Sequence, residues 1–224
     1  MSAAAPGRQL VLASDNRGKL LELRALMAPL AIPVEAQGAL GIAAAEEPYG
    51  TFLENALTKA RHAARASGRP ALADDSGLCC RALGGEPGVR SARFADGPAG
   101  GPDDGPDDGP AGAGRSAHER DAANNALLLR RLAGVADRRA HYCCVVVALR
   151  SADDPEPLFA EGRWEGRIVD TPLGAGGFGY DPYFWLPTLA CTAAQLDAAR
   201  KNQISHRAVA MRALLAQLRE RWDW

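Results

Sequence analysis

A chain of 224 residues that is 47% hydrophobic, with a formal net charge of −1, has enough apolar material for a sizeable core in one or two domains. Its arginines are scattered, so it lacks the clustered positive charge that a dedicated nucleic-acid surface needs to release counterions. No apolar run approaches the roughly 20 residues of a membrane span and Met1 to Gln9 lacks a leader's hydrophobic segment, so the cytoplasm is the expected location, with neither nucleic acid nor membrane as partner.

Gln9 to Ala13 reads as a short buried strand, followed by the turn formers Ser14, Asp15 and Asn16 and then an amphipathic helix with Leu20, Leu23 and Met27 on one face. Lys19 falls in the first turn of that helix, where loop amides, the helix N-terminus and the ammonium converge on one anion. Thr51 to Glu54 is a capping-box signature for a second helix, with Leu53, Ala56, Leu57, Ala60 and Ala64 as its apolar stripe and Gly68 at its end. Asn55 and Lys59, four apart, share one face of it. Pro70 to Ala73 predicts a short strand whose end carries Asp74-Asp75-Ser76-Gly77. Residues 96–114, with Gly-Pro-Asp-Asp twice, are expected to be a flexible low-complexity insertion, because such composition buries too little apolar surface to offset ordering.

Ser116 to Glu119 looks like another capping box, opening a helix to Leu132. Strands are expected over Tyr142 to Leu149, Leu158 to Trp164 and Tyr183 to Leu186, with an acidic turn at Asp153-Asp154-Pro155. A last helix is expected from about Ile204 to Arg221. Helices and strands alternate early and strands cluster in the middle, which predicts a mixed α/β chain with one long sheet. The five cysteines contain no Cys-x-x-Cys and fit neither a disulfide framework nor a zinc site; Cys143 and Cys144 read as buried small hydrophobes.

The chain holds 23 arginines but only three lysines, Lys19, Lys59 and Lys201. Against that bias, lysine is retained where a compact ammonium on a flexible stem cannot be replaced by a planar guanidinium, as in phosphate binding. Paired Asp74 and Asp75, followed by Ser76, suit a Mg²⁺ ion, which takes one or two carboxylates and fills its other positions with water and phosphate oxygens. Consecutive strand residues point to opposite faces, so one of the pair reaches the metal; Glu46-Glu47 offers a further carboxylate, and a solvated acidic turn is the competing reading. Gly174 to Gly179 matches Gly-x-Gly-x-x-Gly, but no helix opens after it, so it is read as a loop bringing Phe178 and Asp181 to a planar ligand, or as a plain Gly-rich connection. Ser205-His206-Arg207 opens the last helix, as a set of donors for a base carbonyl or simply as a cap.

In this order, the stretches Ser14 to Lys19, Glu46-Glu47 with Thr51 to Ala56 and Lys59, Ala73 to Gly77, Leu83 to Gly88 with Ser91 to Arg93, Gly176 to Pro182 and Lys201 to Arg207 resemble the Ham1/RdgB family of inosine and xanthosine triphosphate pyrophosphatases. Two departures stand out: Asp15 in place of the family's usual Gly, and the lengthened Gly/Pro/Asp segment. The resemblance implies a single domain over 1–224, with an elongated mixed sheet, flanking helices and two lobes around a nucleotide cleft, and a homodimer. It also implies Mg²⁺-dependent hydrolysis of dITP, ITP and XTP to monophosphate and pyrophosphate, with a Maf-like pyrophosphatase of other base specificity and a non-hydrolysing nucleotide sensor as alternatives.

On that reading Glu47 and Asp75 hold the metal, Asp75 orients the attacking water with Asp74 in reserve, and Lys19, Lys59 and Lys201 neutralise the triphosphate. Ser14, Asp15, Asn16, Arg17, Gly18 and Ser76 line the phosphates. Phe178 stacks on the base beside Gly179 and Tyr180, and Asp181, His206 and Arg207 read its 6-oxo edge.

Overall fold

The computed structural model describes residues 9–28, 31–96 and 116–224, so most of the predicted insertion lies outside the described residues. Seven strands form one mixed sheet in the order β2-β1-β3-β4-β5-β6-β7, comprising β1 Leu10–Leu12, β2 Val34–Ala36, β3 Ala71–Cys80, β4 Arg139–Leu149, β5 Leu158–Ile168, β6 Phe184–Leu186 and β7 Cys191–Thr192. β1 pairs parallel with both β2 and β3, whereas β6 pairs antiparallel with β5 and β7. The helices are α1 Arg17–Met27, α2 Phe52–Ser67, α3 Ala117–Arg131, α4 Ala198–Ile204 and α5 His206–Trp222.

The chain divides into two compact units. The first takes the chain up to Ser76 with Cys143–Trp164 and Ala199–Trp224; the second takes Gly77–Tyr142 and Glu165–Ala198.

In the first unit the sheet is covered on both faces over β1, the start of β3 and β4, which is why these strands read as nearly unbroken apolar runs, whereas β5 alternates buried and exposed residues. Alternate residues serve opposite cores. Leu10, Leu12, Leu72, Cys144 and Val146 pack with Leu23 and Met27 of α1 and Met211, Leu214 and Leu218 of α5. Val11, Ala13, Ala71, Ala73, Cys143 and Val145 pack with Ala56, Ala60, Ala63 and Ala64 of α2. Small alanines on α2 let helix and sheet approach closely. The predicted stripe is shifted by this packing, since Leu53 is left exposed and Ala63 takes its place. α5 comes close enough to β5 that a Cβ on Gly162 would run into the His206 carbonyl and stand 2.6 Å from the Ala210 nitrogen.

Caps fix the helix starts. Asn16 accepts the Lys19 N–H, Thr51 accepts the Glu54 N–H, Ser205 accepts the Ala208 N–H, and Ser116 with Glu119 forms a complete capping box. Gly68 closes α2 in the left-handed conformation, at φ 66°.

One expectation is corrected. β3 does not stop at Ala73 but runs to Cys80, so the Asp74-Asp75 pair sits mid-strand rather than in a solvated turn, with Asp74 and Asp75 1% and 4% exposed. The last helix is found as expected, α5 running from His206 to Trp222 with Ser205 as its cap, and a short helix that was not anticipated, α4, precedes it and carries Lys201.

In the second unit α3 lies with the 3-10 segment Gly88–Asp96. Asn124 fastens the two, accepting the Ala95 N–H at 2.8 Å and donating to the carbonyls of Ser91 and Ala92.

Candidate active site

Asp74 and Asp75 point to opposite faces of β3 and meet different partners. On the α1 and α5 face, Asp74 Oδ2 accepts from Lys19 Nζ at 3.3 Å, Arg207 Nη2 at 3.1 Å and Nε at 3.3 Å, and Ser76 Oγ at 3.2 Å. Arg207 Nη2 also donates to Ser76 Oγ at 2.9 Å, and its Nη1 donates to Glu22. Glu22 accepts from Lys201 Nζ at 3.1 Å as well. Lys19, Asp74, Arg207, Glu22 and Lys201 therefore form one continuous chain of alternating charge.

On the α2 face, Asp75 Oδ1 accepts from Lys59 Nζ at 3.1 Å and its Oδ2 from Asn55 Nδ2 at 3.3 Å. Lys59 Nζ also donates to Glu47 Oε1 at 2.7 Å. Asn55 exchanges two further hydrogen bonds with the backbone of Tyr49, each 3.1 Å, and so fastens the segment carrying Glu47 to the start of α2.

The electrostatics of the two aspartates diverge. Burial disfavours the charge on Asp74, but Lys19, Arg207 and Lys59 outweigh it and hold the carboxyl well below the usual carboxylate range. For Asp75 burial wins over Lys59 and Lys19, and with the Glu47 charge nearby its pKa is raised. Burial opposes the charge on Lys59, yet Asp75, Asp74 and Glu47 together raise its pKa. His206 is pushed well below the ordinary histidine value by burial and by the Arg207 and Lys201 charges, so its imidazole is neutral near pH 7.

The donor set fits a Mg²⁺ ion. Glu47 and Asp75 converge on a single ammonium, so two carboxylates already meet at one cation; Asp74 Oδ1, buried with no hydrogen-bond donor among the described residues, lies on the other face of β3. One or two carboxylates beside water and phosphate oxygens is the set this cation takes.

Of the expected phosphate residues, Asn16 spends its side-chain oxygen on capping α1, Ser14 Oγ accepts the Asn16 N–H, and Asp15 turns its carboxylate to Gln37. Arg17 and Gly18 form the first turn of α1 with Lys19. Arg207, expected to face a base, is 1% exposed and aims its guanidinium at Asp74, Glu22 and the Ser76 hydroxyl, because the two carboxylates are its nearest counter-charges. His206 stacks against Trp164 with ring centroids 6.3 Å apart.

In the second unit, the Gly174 to Gly179 segment leads through a turn into β6, as expected of a loop. A Cβ on Gly177 would collide with the Asp181 carboxylate, and Gly177 has φ +73°, so two separate constraints require glycine there. Asp181, expected to read a base, is 2% exposed and shapes the loop, accepting the Phe178 N–H at 3.0 Å and the Tyr142 hydroxyl at 3.3 Å. Tyr180 is buried and donates its hydroxyl to the Ser91 carbonyl at 2.9 Å. Asp121 and Asn125, one turn apart on α3, clamp the Gly179 peptide from its N–H and its carbonyl.

Sequence reading missed Glu22, Asp121 and Asn125. Glu22 follows Lys19 by three residues on the same helical face, a spacing that marks it as a neighbour. Nothing local marks the other two.

Residues 10–217 match the Ham1 family. The chain is 58% identical over 212 residues to the dITP/XTP pyrophosphatase of Ralstonia nicotianae, covering 95% of this chain and 97% of that one. It is 55% identical over 224 residues to the dITP/XTP pyrophosphatase of Burkholderia pseudomallei, covering 98% and 99%. Among solved structures it resembles a HAM1 protein from Coxiella burnetii at a TM-score of 0.79 and 41% identity, covering 95% of this chain and 98% of that one. With matches of this extent in both sequence and structure, the chain belongs to the Ham1 family.

Proposed function

We propose that the protein hydrolyses deaminated purine nucleoside triphosphates, dITP, ITP and XTP, to the monophosphate and pyrophosphate, in a Mg²⁺-dependent reaction. The observation that carries this reading is the placement of every lysine in the chain on one set of carboxylates around mid-β3, in a family whose relatives bear that activity in their names. Lys19, Lys59, Lys201 and Arg207 face Glu22, Glu47, Asp74 and Asp75, so the cations are held ready without leaving a large net charge.

A triphosphate draws on those cations in place of their carboxylate partners. Lys19, Lys59 and Lys201 then neutralise its oxygens, aided by the first turn of α1 and by Ser14, Asn16 and Ser76. Glu47 and Asp75 are the proposed metal ligands, and the bound cation would supply charge neutralisation at the phosphates. Asp75 is also placed to orient the attacking water and accept its proton. Asp74, held ionised, keeps Lys19 and Arg207 in place.

In the second unit Phe178 is the proposed stacking surface for the base, with Gly179 and Tyr180 beside it and Asp181 setting the loop's shape. In the first, neutral His206 is the proposed donor to a 6-oxo group, backed by Arg207. A site built from such donors leaves them unpaired against a 6-amino group, a mismatch worth up to about 10⁴-fold.

The single two-lobed domain and the homodimer rest on the family resemblance. The cytoplasmic location is likewise carried over from the family resemblance; no helix among the described residues is long and apolar enough to cross a membrane. The test is pyrophosphate release from dITP, XTP, dGTP, dATP and dTTP, with Mg²⁺ and with EDTA. Turnover of dITP and XTP that stops in EDTA is expected. Preference for a pyrimidine would move the protein towards the Maf-like reading, and tight binding with no turnover would make it a sensor.

A further inference from the structure

Asp15 puts a carboxylate into the loop that the proposed function assigns to substrate phosphates, where a negative charge should weaken binding. Its surroundings show how that charge is managed. Gln37, itself 3% exposed, starts the 3-10 turn Gln37–Leu40 directly after β2, and its Nε2 donates to Asp15 Oδ2 at 2.8 Å. Asp15 Oδ1 lies against Gly38, where an added Cβ would come within 2.9 Å of it. β1 and β2 are parallel neighbours with Leu12 opposite Ala36, so the segments leaving the two strands run side by side and this bond ties them.

We propose that Gln37 is a positioning residue for substrate binding, holding the Asp15 carboxylate against the Gln37–Leu40 turn and away from the space taken by phosphates over Ser14 to Lys19. The inference rests on the phosphate reading of that loop. A buried amide is suited to the task because losing its acceptor would leave it unsatisfied, which biases Asp15 towards one orientation. Gly38 completes the arrangement by offering the carboxylate space that any side chain would fill.

The test is the KM and kcat for dITP across a small variant set. Gln37→Met frees the carboxylate and should raise KM about tenfold at unchanged kcat, with the penalty shrinking as salt is added. Asp15→Asn retains an acceptor for Gln37 without the charge, and its KM should be at or below wild type. The decisive variant combines Gln37→Met with Asp15→Gly, and it should recover most of the lost affinity because the repelling group is gone. Gly38→Ala crowds Asp15 Oδ1 without touching Gln37, and should show a smaller KM rise in the same direction and the same rescue by Asp15→Gly should Gln37→Met fold poorly. Equal KM in wild type, Gln37→Met and Gly38→Ala, or rises that Asp15→Gly does not relieve, would overturn the inference while leaving the proposed function standing. Absence of dITP turnover in the wild type would instead remove the proposed function and this inference with it.

Discussion

Asp74 and Asp75 are adjacent on β3, yet they belong to two differently built regions. The Asp74 side is a closed lattice in which one carboxylate oxygen takes four nitrogen and hydroxyl donors besides the Cys144 thiol, and the neighbouring cations are tied through Glu22 to Lys201. The Asp75 side is sparser: a single ammonium serves both Asp75 and Glu47, and a single amide reaches Asp75 from Asn55. The first surroundings lock a charge in place, and the second leave a carboxylate whose proton affinity is raised. Strand alternation alone separates the two roles, since it hands neighbouring residues to opposite layers.

The largest test of this contrast is Asp75→Asn, expected to reduce turnover by about 10³-fold while leaving the thermal midpoint within a few degrees of wild type. Near-normal rates would remove Asp75 from the chemistry.

Asp74→Asn should do the reverse in kind, acting mainly through stability. It strips Lys19 and Arg207 of a buried counter-charge, at a cost of about 3 kcal/mol by urea denaturation. The sign of its pH dependence follows from the depressed folded pKa. The stability that Asp74 contributes is fully present above the unfolded value of about 3.9 and is lost as pH falls through the window beneath it, so the gap between wild type and Asp74→Asn should close below about pH 4. A gap constant down to pH 3 would contradict the charge lattice.

Lys19→Arg keeps the charge but not the compact ammonium, and should cost roughly tenfold in kcat/KM. A silent substitution would undo the argument from lysine scarcity. The smallest effect is expected at His206. Its folded pKa is depressed, so as pH falls below about 6.5 the unfolded chain takes up a proton that the folded one refuses, and stability declines with acidity. Comparing wild type with His206→Gln between pH 7 and pH 5 should show a shallower decline in the variant; parallel curves would mean that His206 titrates normally when folded.

Local pattern carried much of this into view. The β1 to α1 unit, the caps at Thr51 and Ser116, and the pairing of Asn55 with Lys59 on one helical face follow from short-range rules and reappear in the structure. Family membership was legible too, because its motifs lie in fixed order along the chain. The end of β3 was not, since Asp-Asp-Ser-Gly has the composition of a turn and only distant cations from α1, α2 and α5 allow it to continue as a buried strand. Gln37, Asp121 and Asn125 were invisible for the same reason: each acts on a backbone or carboxylate more than 20 residues away.

Gly162 bears on how variants of this protein will sort. Because α5 rests on β5 at that residue, with the His206 carbonyl and the Ala210 nitrogen both inside the space a Cβ would need, any replacement pushes the start of α5 and carries His206 and Arg207 with it. A random-mutagenesis screen for inactive clones will therefore return position 162 together with the charged residues. A residue with no reactive group will score as an active-site lesion, and its signature will be lost activity in protein that still carries every catalytic side chain.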